Sequence, residues 1–312
     1  GIYARKPKND AADRFSSVRV VYEKPETDAE IDARIAERFE ILDVLTEATT
    51  VGNSRALIVS GPAGLGKSYT IEKRLADWDP SEHNHTIVKG YVRATGLVKL
   101  LYQYRNEGQV IVFDDADSIF FDDISLNLLK AVCDTTERRR VSWLSEGKLF
   151  DDDTATLLPR NFDFNGAIIF ISNYDFDAMI ERGHKLAPHL EALVSRSHYI
   201  DLAMKTRRDY LVRIRQVIRQ GLLGDLSMAE RSDVILFIEQ NAEKLRELSL
   251  RMAIKLGALR KQSKDWQRMA KITVGRTEDH EPEEGATMDR KAGSWEKGGE
   301  AEKENGDEGS DG

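Results

Sequence analysis

Apolar residues along this chain follow two rhythms. From Glu30 to Thr49, Ile31, Ile35, Phe39, Leu42 and Leu45 recur at steps of three and four among good helix formers, which predicts an amphipathic helix. After Gly52 and Asn53 the pattern becomes a short unbroken run, Ala56–Ser60. Similar runs follow at His85–Lys89, Val110–Phe113, Ala167–Ser172 and His198–Leu202. Runs of this length bounded by turn residues suit strands covered on both faces. Helical spacing fills the gaps at Lys67–Asp77, Gly96–Arg105, Asp123–Glu137 and, as a pair, within Asp175–Ser195. Strands alternating with helices predict an α/β domain built on a parallel sheet. From about Met204 only the helical rhythm persists, through Tyr210, Leu211, Ile214, Val217 and Ile218, then Val234, Ile235 and Ile238, then Leu248, Met252, Leu256 and Leu259. The expectation is a small all-helical domain ending near Val274.

The two ends differ from this body. Residues 1–29 are mixed and polar, and Val18, Val20 and Tyr22 offer at most a short strand before Pro25, so the segment reads as an arm. Residues 275–312 hold no Val, Ile, Leu or Phe, eight glycines, and thirteen acids against five bases. Such a segment cannot bury enough surface to offset its chain entropy and is expected to be disordered. It also carries the whole formal charge of −8, which leaves the rest of the 312 residues neutral. The tail is either a solubilising segment or a dock for a basic partner protein. The predicted division is therefore 1–29 arm, 30–203 α/β domain, 204–274 helical domain and 275–312 tail. A single cysteine, Cys133, excludes an intrachain disulfide and a Cys-rich zinc site, which fits a reducing, cytoplasmic compartment. No run approaches 18 apolar residues and the charged first thirty residues lack an apolar core, so neither a membrane span nor a secretion signal is expected.

The chemistry concentrates between the first strand and the second helix. Gly61-Pro62-Ala63-Gly64-Leu65-Gly66-Lys67-Ser68 matches G-x-x-x-x-G-K-[ST] and stands between a predicted strand and a predicted helix, where a phosphate-binding loop needs it. Glycines let backbone amides turn around a phosphate, and the helix N-terminus adds partial positive charge. Residues 61–69, with Tyr69 as the last, are thus the candidate nucleotide cradle. Lys67 supplies a cation for the β- and γ-phosphates, and Ser68 offers a hydroxyl to Mg²⁺. The run Val110–Phe113 delivers Asp114 to a strand end beside this loop, where its carboxylate can hold the ion. Asp115 follows, placed to polarise water, and Asp117 completes an acidic cluster. ATP and Mg²⁺ are the expected ligands.

From this point the sequence resembles the AAA+ ATPases, whose corresponding strand usually ends Asp-Glu; Asp115 stands here for the Glu, one methylene shorter. The resemblance covers residues 30–273 and continues in order. Ile168–Asn173 is similar to the AAA+ strand ending in a polar sensor, with Asn173 orienting the attacking water. Ser195-Arg196 resembles the motif carrying an arginine finger, which would place Arg196 on a neighbouring subunit's γ-phosphate. Leu248–Met252 resembles the lid motif whose arginine folds back onto the nucleotide, Arg251 being preferred over Arg246, with Ser249 as N-cap. The helix before the P-loop would supply an adenine wall from Ile35, Phe39 and Leu42, a stripe that serves equally as core. The stretches Phe113–Phe121 and Leu157–Asn173 are similar to ATP-binding proteins of tailed bacteriophages, which implies the host cytoplasm.

The resemblance implies a homo-oligomer, a ring or hexamer, hydrolysing Mg-ATP at shared interfaces to remodel, load or translocate a polymeric partner. DNA or RNA in phage or bacterial replication is the preferred setting. The alternative is an ATP-dependent assembly switch or a helicase- or clamp-loader-like interaction module with weak turnover. Tyr91 and Arg93, after the second strand, line a pore or sit at a buried strand end. Arg138, Arg139 and Arg140 with Trp143 bind single strands or end a solvated helix. Lys205, Arg207, Arg208, Arg213, Arg215 and Arg219 make the first lid helix basic, for subunit contacts or phosphate. His83 and His85 read as a polar loop rather than a metal pair.

Overall fold

A computed structural model describes residues 25–145 and 147–276. The arm through residue 24 and the acidic tail from 277 lie outside the described residues, and so do the expectations placed on them.

Five strands form one parallel sheet in the order β2-β3-β6-β1-β7: β1 Ala56–Ser60, β2 His85–Lys89, β3 Val110–Asp114, β6 Ala167–Ser172 and β7 His198–Asp201. The side chains of β1, β3 and β6 are buried throughout, as their unbroken apolar runs require. Alternate residues serve opposite faces. Leu57, Val59, Val110, Val112, Ile169 and Ile171 pack under α1 Asp28–Thr50 and α2 Lys67–Trp78. Ile58, Ile111, Phe113, Ile168 and Phe170 pack with α3 Ala94–Gln103, α4 Asp123–Cys133, α5 Phe176–Glu181 and α6 Ala187–Arg196. Thr27 caps α1 reciprocally with Glu30, each side chain accepting the other's backbone N–H.

The predicted helix Asp123–Glu137 stops at Cys133. Beyond it the chain forms an antiparallel hairpin, β4 Arg140–Ser142 with β5 Asn161–Asp163. Three residues per strand are too few for a period-two pattern to register. The helical domain consists of α7 Arg207–Arg219, α8 Met228–Asn241, α9 Leu250–Gln262 and α10 Trp266–Thr273 around their own core of Val217, Val234, Phe237, Met252, Leu256 and Trp266. Helix α10 adds a fourth element to the three expected. The parallel sheet flanked by helices, with the P-loop between β1 and α2 and an all-helical region after β7, is the α/β architecture that the sequence predicts. No helix among the described residues is long and apolar enough to cross a membrane.

Candidate functional site

In this parallel sheet the carboxyl ends of β1, β3 and β6 lie side by side, so the loops that leave them share one edge. The loop after β1 is the predicted phosphate loop. Gly64 and Gly66 take φ of 77° and 99°, a left-handed conformation that disfavours a Cβ. Space forbids one as well: a Cβ would stand 2.9 Å from the Ser249 Cβ at Gly64 and 2.9 Å from the Arg213 Nη2 at Gly66. Lys67 opens α2 and is buried. Its Nζ donates to the carbonyls of Gly61 at 2.5 Å and Pro62 at 2.8 Å, and to Asn173 Oδ1 at 3.0 Å. Burial pulls its ammonium down to about 8, against the opposing pull of Asp115, Asp114 and Asp117.

Asp114 ends β3 and is buried; its register partner on β2 is Lys89, whose Nζ lies 3.5 Å from Asp114 Oδ2 and 2.8 Å from Glu72 Oε1. Asp115 turns sharply out of the strand with φ of 54° while its N–H donates to the Ile171 carbonyl at 3.2 Å. That turn aims its carboxylate at Asn173, whose Nδ2 donates to Asp115 Oδ1 at 3.0 Å. One asparagine therefore spans the lysine and the acid. Asp117 begins a 3-10 turn; burial raises its carboxyl, and its Oδ1 has no hydrogen-bond partner among the described residues.

The lid closes the other side. Ser249 caps α9, its hydroxyl accepting the Met252 N–H at 3.1 Å, so Arg251 stands in the first turn as expected. The Leu250 N–H donates to the Gly64 carbonyl at 2.7 Å. Between loop, acids and lid lies a cleft of about 210 Å³ lined by Ala63, Gly64, Gly66, Lys67, Ser68, Tyr69, Asp114, Asp115, Asn173, Val217, Leu222, Leu250, Arg251 and Ile254. Leu65 contributes backbone, its side chain being in the core. The residues fit a magnesium-bound nucleoside triphosphate: a glycine cradle that a Cβ would fill, a desolvated cation, two acids, and apolar walls on the lid side.

Over 240 residues the chain is 37% identical to an uncharacterized 36.7 kDa protein in the nrdC-mobD intergenic region of Enterobacteria phage T4, covering 76% of this chain and 73% of that protein. The chain belongs to the family of that phage protein. No protein-family profile matches it. Among solved structures it is similar to a point mutant of RuvB from Thermotoga maritima, at 14% identity and a TM-score of 0.46 over 80% of this chain and 73% of that one. It is also similar to NtrX from Brucella abortus in complex with ATP, at 14% identity and a TM-score of 0.36 over 78% and 53%.

Several expectations for this phage-family chain meet a different arrangement. Ile35 and Leu42 are core residues and Phe39 lies beneath the Arg213 guanidinium, 3.4 Å from Cζ to ring centroid; the apolar cleft wall comes instead from Val217, Leu222 and Ile254. Arg139 is buried, donating to the Val132 and Gly166 carbonyls, while Arg138 pairs with Asp163, so the triple arginine is split by the hairpin it enters. Three arginines of the basic lid helix are paired within the chain: Arg207 with Glu243, Arg208 with Asp28, and Arg215 with Glu239. His85 is buried against Asp79, 2.8 Å away. Arg246 turns to the Gly275 carbonyl. Tyr91, by contrast, is 75% exposed rather than buried at its strand end. Arg196 stands before His198, whose strand neighbour is Leu57, at the opposite sheet end from Lys67; its Nη1 donates to the Ala192 carbonyl. It belongs to no part of its own chain's cleft.

Arg213, expected on the basic face of the first lid helix, is buried instead. It lies on α7 in a buried polar stripe, Asp209, Arg213 and Gln216, at helical spacing and facing α1. That stripe, rather than the count of basic residues, was the signal.

Proposed function

We propose that this protein is an ATPase that binds Mg-ATP in the cleft between sheet and lid and hydrolyses it. The observation that carries the reading is the continuous chain Lys67–Asn173–Asp115. It links the group that would hold the β- and γ-phosphates to a carboxylate able to polarise water, with Asn173 orienting both. Ser68 and Asp114 would hold the magnesium ion, which supplies charge neutralisation at the transferring phosphoryl group. Arg251 reaches the nucleotide from the lid, and Val217, Leu222 and Ile254 receive the base. Arg196, at the foot of the sheet, suits a second copy's site, so that the active unit is a homo-oligomer. The exposed Tyr91 and Arg93, on the loop after β2, favour a polymeric partner, and nucleic acid suits this aromatic and cationic pair.

The test is phosphate release from Mg-ATP by the full chain, which Lys67→Ala should abolish. Separate addition of single-stranded DNA, duplex DNA, RNA and unfolded protein should stimulate one rate selectively. Binding without turnover would favour the second reading, an ATP-dependent assembly switch. The short Asp115 carboxylate, held by Asn173, is the feature that favours it.

A further inference from the structure

We infer that the lid sets the direction of the phosphate-cradling amides through two tethers to backbone carbonyls of the P-loop, and that Arg213 is the principal positioning residue. The inference rests on the nucleotide-binding reading above and deepens it.

Arg213 is 2% exposed, and burial pulls its guanidinium down to about 10; no carboxylate among the described residues pairs with it. A buried cation without a counter-charge is costly, and plain packing would be served better by an apolar side chain. What this guanidinium does hold is specific. Its Nε donates to the Leu65 carbonyl at 2.9 Å and its plane lies over the Phe39 ring. Its Nη1 reaches Gln216 Oε1 at 3.3 Å, and Gln216 Nε2 donates to the Asp32 carbonyl at 2.6 Å. The arginine is thus fixed from α1 and α7 at once.

The consequence follows from peptide geometry. The described chain has no cis peptide bond, so in the Leu65–Gly66 peptide the carbonyl and the following N–H point in opposite directions. Arg213 lines a neighbouring groove with Phe39, Tyr69 and Gln220 and is not a wall of the nucleotide cleft. Holding the Leu65 carbonyl on that outer side turns the Gly66 N–H inward. The second tether, Leu250 N–H to the Gly64 carbonyl, fixes the adjacent Gly64–Leu65 peptide from α9. Donors that already face an anion need no reorganisation when it binds. By reciprocity, an anion that favours this peptide arrangement also favours the lid position that maintains it.

Two substitutions test this with a fluorescent ADP analogue titrated against the full chain, alongside thermal unfolding without nucleotide. Arg213→Met keeps the aliphatic bulk and removes the donor. It is expected to weaken binding about tenfold, as for loss of one charge-assisted hydrogen bond, without lowering the unfolding temperature. Leu250 is the first residue of α9, where proline is tolerated, and Ser249 before it is extended at ψ of 166°, as a residue preceding proline must be. Leu250→Pro deletes the N–H and should bind several-fold more weakly than Leu250→Ala, which loses the same side chain. Wild-type binding with unchanged affinity in Arg213→Met, and equal affinities in the two Leu250 variants, would overturn the tethers alone. Affinity losses matched by a fall in unfolding temperature would overturn them in favour of plain packing. Failure of the wild-type chain to bind nucleotide would overturn both this inference and the function beneath it.

Discussion

Replacing Lys67 by methionine separates what this residue does for nucleotide from what it costs the fold. Burial holds the lysine at about 8 against its ordinary 10.5. A gap of about two and a half pH units, at about 1.4 kcal/mol each, is a cost of about 3 kcal/mol for keeping the charge buried at neutral pH. Methionine removes that cost. The carbonyls of Gly61 and Pro62 and the Asn173 side chain then lose a donor, which takes back about 1–2 kcal/mol. The net expectation is a gain of about 1–2 kcal/mol, or an unfolding temperature roughly 2–6 °C higher for a body of this size. The sign depends on pH. The penalty acts while the folded-state lysine is charged, below about 8, and fades as the pH rises from there toward 10.5, so the variant's advantage should fade over the same interval.

Differential scanning fluorimetry with and without Mg-ATP reads both effects. At a hundredfold excess over the dissociation constant, the wild type should gain about 2.7 kcal/mol from ligand. Lys67→Met should gain nothing. A variant whose unfolding temperature falls by several degrees without ligand would refute the reasoning. It would mean that Asp114, Asp115 and Asp117 more than repay the lysine's desolvation, making it half of a structural ion pair rather than a cation poised for an anion.

Asp115→Asn should lower kcat by about a hundredfold or more with KM nearly unchanged, since a water-polarising carboxylate acts in the transition state and not in binding; a rise in KM alone would reassign it to nucleotide or metal binding. Arg196→Ala should lower turnover by about a thousandfold, and mixing it with Asp115→Asn should restore activity, because the mixture contains interfaces with both residues intact. No recovery in demonstrably mixed oligomers would exclude a shared site. At the junction of α1 and α7, Asp209 is opposed by burial, yet its carboxyl is held below its ordinary 3.8 because the Lys205 amide and the Arg34 guanidinium outweigh that burial. The stability this gives is present above 3.8 and is lost as pH falls through the lower folded-state value. The gap in unfolding temperature between wild type and Asp209→Asn should therefore narrow below pH 4, and a constant gap would show that the charge plays no part.

How much of the fold is legible in the sequence depends on where each residue's information lies. The central strands were legible because both of their faces are buried, so hydropathy alone marks Ala56–Ser60 and Ala167–Ser172 with the observed bounds. The P-loop was legible because its requirements are local: glycine where φ is positive, lysine at the first turn of a helix. Asn173 was placed by its position at the end of β6, but its simultaneous contact with Lys67 and Asp115 is a property of three neighbouring strand ends, which no single segment encodes. The hairpin of β4 and β5 escaped because three-residue strands carry no measurable period.

The arginines mark the limit most clearly. By composition, Arg138–Arg140 and the first lid helix looked like surfaces for a polyanion, since a count of positive residues cannot register which acids stand opposite. In the folded chain Asp28, Asp163, Glu239 and Glu243 pair with four of them, Arg208, Arg138, Arg215 and Arg207, from positions distant in sequence. Arg213 behaves in the reverse way: it sits in the same basic helix, yet among the described residues it meets no acid and is buried against the phosphate loop instead. Cationic residues already paired in the fold have less to offer a polyanion, whereas one kept unpaired beside a phosphate cradle retains its field for a bound anion. On the proposed reading, the positive charge that serves binding is therefore read from pairing rather than from abundance, and it gathers at the phosphate loop before any surface.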